Sequence, residues 1–182
     1  MSIFVQRMIG AAKLNAATFE EIEADSGATG QAMAVVCLSA VAAGVGAIGH
    51  GGARGPVLGL ITALVGWFLW ALLTWLVGTK ILPEAQTRAD LGQLLRVIGF
   101  SAGPGILRVF GFIPVLGNVI SFATSLWMLA SMVVGVRQAL DYKGTGRAVA
   151  VCVIGFLVYL AVTITLYMLL GLGGGTMGEM SR

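Results

Sequence analysis

Apolar residues gather along this chain into long runs separated by short polar breaks. Four runs stand out: 32–49 (AMAVVCLSAVAAGVGAIG), 57–78 (VLGLITALVGWFLWALLTWLVG), 112–136 (FIPVLGNVISFATSLWMLASMVVGV) and 148–171 (AVAVCVIGFLVYLAVTITLYMLLG). A helix needs about 20 mostly apolar residues to cross the hydrocarbon core, so each run predicts one span. A fifth stretch, 94–111 (LLRVIGFSAGPGILRVFG), is apolar enough for lipid, yet it carries Arg96, Arg108 and a Gly-Pro-Gly at 103–105.

The fifth stretch has a legible start. TRADLGQ, residues 87–93, offers Asp90 as an N-cap with Gln93 three residues on, the spacing of a capping box. A span is therefore expected from Leu91. Arg96 lies within two turns of that start, close enough to snorkel to the headgroups, and Arg108 is expected to do the same at the other end. The bilayer centre is left to the eleven residues 97–107. As α-helix these rise about 16 Å, half the core thickness, so the span has to be shielded by neighbours or thin the membrane locally. Pro104 also removes a backbone donor, and such a break survives in lipid only where packing or water re-satisfies the freed groups.

Ahead of the first span, residues 2–14 place Phe4, Met8, Ile9 and Ala12 on one side of a helix and Arg7, Gly10 and Lys13 on the other. This predicts a short amphipathic helix lying in the membrane interface. TFEEIEAD, 18–25, opens on a Thr18–Glu21 capping box, and its four acids are expected on a solvated face, with SGATG (26–30) as the turn into the bilayer. In the first span, Ser39, Ala43 and Ala47, with Ala40 and Gly44, form a small-xxx-small face that lets helices approach closely. The fold expected is an all-α polytopic bundle. It comprises a cytoplasmic or interfacial segment (1–30), a five-span membrane domain (31–172) and a flexible Gly-rich tail (173–182).

Composition agrees: 58% of residues are hydrophobic and 10% charged, against about a quarter charged in soluble domains. Positive side chains in short loops stay cytoplasmic, so their placement tests the number of spans. Five spans with the N-terminus inside put eight Lys and Arg at the cytoplasmic face (Arg7, Lys13, Lys80, Arg88, Arg96, Arg137, Lys143, Arg147), leaving Arg54, Arg108 and Arg182 outside. Four spans give seven against four. Five spans fit better, with the N-terminus in the cytoplasm, the C-terminus outside and the cytoplasmic (inner) membrane as location. The lipid bilayer is then the first partner, with other membrane proteins or a second copy as further ones. The net charge of +3 gives no reason to expect nucleic acid.

Little in the sequence speaks for chemistry. GFSAG, 99–103, spells Gly-x-Ser-x-Gly, but a serine nucleophile needs a base within hydrogen-bond reach. His50, the lone histidine, is expected about half a bilayer away from Ser101. Cys37 and Cys152 read as buried thiols. No cofactor, metal or catalytic set is expected. An anion site at Arg96 and Arg108 is disfavoured, because twelve residues of helix separate them by about 18 Å. The competing functional reading is a small transporter or channel with a cavity at the broken span lined by Arg96, Ser101 and Asn118.

Three stretches together carry a resemblance: TFEEIEADSGATGQAMAVV (18–36), GTKILPEAQTRADLGQLLRVIGFSAGPGIL (78–107) and WMLASMVVGVRQALDY (127–142). They resemble the bacterial branch of the Yip1 family. The most specific part runs from Asp90 through Leu95-Arg96 and Gly99-Phe100 to Gly103-Pro104-Gly105. The resemblance implies a five-span helical protein with a cytosolic N-terminus and no assigned enzymatic activity. Eukaryotic members act in vesicle traffic and bind prenylated Rab GTPases. This chain lacks their long N-terminal region and Asp-Leu-Tyr-Gly-Pro hallmark, so Rab binding is not carried over. What is expected is a non-enzymatic protein that organises membrane or serves as an accessory subunit.

Overall fold

The computed structural model describes residues 1–48 and 56–169, and its regular elements are all helical. Helices α1 (Ile3–Ala12) and α2 (Ala16–Ala24) form a short hairpin. Then come α3 (Ala28–Gly46), α4 (Pro56–Leu76), α5 (Leu91–Ser101), α6 (Leu116–Ala139) and α7 (Thr145–Leu169). A π-helical turn, Val77–Ile81, follows α4, and a 3-10 stretch, Gly103–Phe112, follows α5. His50, Arg54 and the tail 173–182 lie outside the described residues.

Five segments are long and apolar enough to cross a membrane: Ala28–Gly46, Val57–Ile81, Leu91–Phe112, Leu116–Ala139 and Thr145–Val162. The protein is a polytopic helical membrane protein, as the apolar runs predict. Boundaries shift by a few residues. The fourth span begins at Leu116 rather than 112, because Pro114 and Val115, at φ 64, form the turn into α6. A β-branched residue at positive φ is uncommon and marks a sharp reversal.

The irregular third span is the central one. Over its most apolar window 56% is buried, against 11–33% in the other four. α3 packs closely on it, with Gly99 against Ala32, Gly105 against Ser39, and Gly46 against Gly111 and the Arg108 carbonyl. A Cβ on Gly99 would come within 2.7 Å of that of Ala32, so only glycine permits this approach. Helical residues continue the span on both sides of its apolar centre, 97–107. A 3-10 helix rises about 2.0 Å per residue, so the eleven residues of α5 and the ten beyond cover about 36 Å. On either side of Pro104 the chain tightens into i to i+3 bonds: Ala102 donates to the Gly99 carbonyl at 3.1 Å and Gly105 to that of Ala102 at 2.9 Å.

Candidate functional site

One end of the bundle, here the near end, is a polar platform. It is formed by α1, α2, residues 77–90 and the turn between α6 and α7. Asp90 caps α5, and the reciprocal Asp90–Gln93 capping box is present as the sequence suggested. Trp75 donates its indole N–H to the Ala89 carbonyl at 2.9 Å. Tyr142 is buried, and its one hydroxyl proton is shared between the carbonyls of Gly78 and Leu82, at 3.0 and 2.8 Å. Burial pushes its phenol up to about 12, so it remains a donor. Thr87 donates to the Leu140 carbonyl, and Gln86 to that of Asp141, both at 2.8 Å. Glu84 pairs with Arg147 at 3.2 Å and accepts the Lys143 backbone N–H. Burial works against the Glu84 charge, but these donors outweigh it and hold the carboxyl below its ordinary range. Residues from two of the stretches that carry the Yip1 resemblance, 78–107 and 127–142, therefore meet here.

A buried cation ties the N-terminal hairpin together and reaches α3. Arg7 is 4% exposed and lies between Glu21 and Asp25, at 3.0 and 2.8 Å, with Gln31 of α3 at 3.2 Å. Its partners are about half exposed, so the pair needs no fully dry interior. The hydrogen bond from Arg7, with the Gly27 N–H, holds the Asp25 carboxyl below its usual range. Two sequence expectations change here. Phe4 and Met8 pack on the core as the apolar face predicts, but Arg7 is enclosed with them instead of facing outward, while Ile3, Val5 and Ile9 are exposed. The acids are not merely solvated, since two of them clasp Arg7 and Glu20 accepts from Gln138. The α2 cap also differs: Asn15, one turn before Thr18, accepts the Thr18 N–H, and Glu21 is drawn to Arg7.

Arg96 is 7% exposed and donates from Nε at 3.0 Å, and from a second nitrogen, to the Glu23 carbonyl. It thus completes the C-terminal end of α2, where a cation is favoured by the free carbonyls and helix dipole. It does point to the near end, as expected, but protein rather than lipid headgroup receives it. Beside it the Glu23 Oε2 is buried with no hydrogen-bond partner among the described residues. Burial, reinforced by Asp141, Glu20 and Asp90, raises this carboxyl to about 7 against the opposing pull of Arg96.

Within the membrane the notable feature is a groove of about 870 Å³ bounded by α3, α4, the third span, α6 and α7. Ser39, Ala40, Ala43, Gly44 and Ala47 all line it. Ser39 also packs on Gly105, whereas Gly44 has open space where a Cβ would be. Gly59, Thr62, Ala63 and Gly66 of α4 form a facing wall. Their spacing is a helical small-residue stripe that was readable in the second span and not singled out. Arg108 also lines the groove and donates to the Ser125 Oγ at 2.9 Å. Its head therefore does not snorkel outward: Ser125 lies nine residues into α6, about 13 Å from that helix's start. The Arg108 backbone is held against Gly46 at the far end, so the side chain runs inward along α6.

The side chains of the transporter reading do not converge. Arg96 is at the near end, and Asn118 is exposed at the start of α6. Ser101 is buried with its hydroxyl donated to the Val97 carbonyl at 2.8 Å. Gly103 is packed against the Met8 carbonyl and Val35, and Phe100 is fully buried beside Phe4. Leu95 offers its carbonyl to the Trp67 indole at 3.0 Å. Around the break, then, Gly103, Pro104 and Gly105 serve helix contact, and the groove lies to one side.

No curated protein and no solved structure matches the chain. The family model described as the Yip1 domain matches residues 14–166, which takes in α2, the interlocked near end and all five spans up to the later part of α7, so the chain belongs to the Yip1 domain family.

Proposed function

We propose that this protein is a non-enzymatic accessory component of the cytoplasmic membrane, with its N-terminus in the cytoplasm, and that its near end docks against a larger membrane protein. The observation that carries this reading is the platform itself. It presents exposed Lys80, Arg88, Lys143 and Arg147 on backbone pinned by Tyr142, Thr87 and Glu84. A pre-ordered surface loses little conformational freedom on binding, which favours association. In this reading Asp90, Leu95, Arg96, Gly99, Phe100, Gly103, Pro104 and Gly105 are structural: they set the third span and fix α2 upon it.

The test is extraction in mild detergent and stoichiometric analysis of what travels with the protein. The expected result is a partner in fixed ratio that is lost in the double variant Arg88→Glu, Lys143→Glu, while the melting temperature stays within a few degrees. A partner-free protein, or a partner indifferent to both charge reversals, sinks the docking role. Turnover of a substrate abolished by Ser101→Ala sinks the non-enzymatic one.

A further inference from the structure

We propose that the membrane groove holds one phospholipid with an anionic headgroup, its acyl chain lying along the small-residue walls and its phosphate on Arg108. This goes beyond the docking role and does not depend on it.

The first argument is space. The groove is open on one side and holds about 870 Å³. In a bilayer an apolar space of this size is filled, since unfilled volume forfeits the dispersion contacts of every atom around it. A flexible hydrocarbon chain can follow such a groove along its length. Gly44, Gly59 and Gly66 leave open space where side chains would otherwise stand.

The second argument is charge. An arginine inside a membrane is costly and normally paired. Among the described residues Arg108 has no carboxylate within ion-pair distance, and its one hydrogen bond goes to Ser125. Its planar fork of five donors matches a phosphate. Four other polar side chains lining the groove are already engaged: Thr62 with Leu58, Trp67 with Leu95, Trp70 with the Met132 sulfur and Ser101 with Val97. Arg108 is thus the cation with donors to spare, set inward of the far end, where a headgroup drawn along the groove meets it.

The experiment measures lipid occupancy of the delipidated full chain by native mass spectrometry, with phosphatidylglycerol and phosphatidylcholine as probes. One phosphatidylglycerol per chain is expected at concentrations where phosphatidylcholine scarcely binds. Arg108→Gln is expected to reduce phosphatidylglycerol occupancy about ten-fold, to the phosphatidylcholine level, as fits the loss of a charge-assisted contact. Gly44→Leu and Gly66→Leu are expected to exclude both lipids at unchanged melting temperature, and they carry the test if Arg108→Gln fails to fold. Equal retention of the two lipids, or a preference that survives Arg108→Gln, overturns the proposal. So does uptake unaffected by either leucine. Loss of a dimer or a fixed partner in Gly44→Leu with lipid uptake intact identifies a protein occupant instead. Uptake seen only after removal of residues 173–182 identifies the chain's own tail. Either result also ends the proposal.

Discussion

At the scale of single residues, Glu23 is the least comfortable group in the protein. Its backbone carbonyl serves Arg96, yet its Oε2 is buried without a partner. Burial first, then Asp141, Glu20 and Asp90, hold the proton on to about pH 7. In the unfolded chain the same carboxyl releases its proton in the ordinary carboxylate range. Between that range and about pH 7 the native state therefore binds one more proton than the unfolded state, and stability falls as pH rises across the window. Glu23→Gln removes this dependence. In detergent, the melting temperatures of variant and parent are expected to lie close together at pH 5, with the variant higher at pH 8. A gap that is constant with pH contradicts the assignment. Sequence alone offered Glu23 as one acid of four on the solvated face of a short helix. Its burial comes from α2 lying across α5 and α6, with Phe19 set against Gly135, a contact across more than a hundred residues that local pattern cannot show.

At the scale of elements, the third span explains what was legible. Its start was, because the Asp90–Gln93 box is a local device whose partners are three residues apart. Its existence as a span followed from hydropathy, and its shielding from the arginines and Pro104. Its switch from α to 3-10 was not legible, and over ten residues it lengthens the span by about 5 Å. Arg108 was misplaced as well. Snorkelling outward is the default for a terminal arginine, and only the presence of Ser125 on a different helix, seventeen residues on, gives its head a place inside. The small-residue stripe was seen on α3 but missed on α4, where it was equally visible. Two kinds of glycine follow from this packing. A Cβ on Gly105 collides with Ser39, while one on Gly66 meets nothing within 4 Å. Overpacking of a tight contact costs about 1–3 kcal/mol. Gly105→Ala is expected to lower the melting temperature by several degrees, and Gly66→Ala to leave it unchanged or slightly raised, since alanine favours helix. Equal effects at the two sites contradict the helix contact described for the break.

For the whole molecule, the near end also decides how many times the chain crosses. Residues 77–90 and 140–147 are bound to each other through Thr87–Leu140, Gln86–Asp141 and Glu84–Arg147, so they share one side of the membrane. The chain between them must cross out and back, which requires both the irregular third span and α6. A four-span arrangement puts these bonded loops on opposite sides. Charge is the basis of the proposed orientation. Among the described residues, every Lys, Arg, Asp and Glu except Arg108 falls in the α1–α2 hairpin, the 77–90 segment, the first two turns of α5 or residues 137–147. Eight of these are Lys or Arg, and an excess of positive charge in short loops marks the cytoplasmic side. The prediction is tested with single cysteines in a chain whose Cys37 and Cys152 are replaced by Ala. Cysteines at Arg88 and Lys143 are expected to react with a membrane-impermeant maleimide from the cytoplasmic side alone, and one at Val115 from the opposite side alone. Positions 88 and 143 labelling from opposite sides contradicts the interlocked platform. All three labelling with sides exchanged preserves the fold but inverts the orientation, and with it removes the proposed docking surface from the cytoplasm.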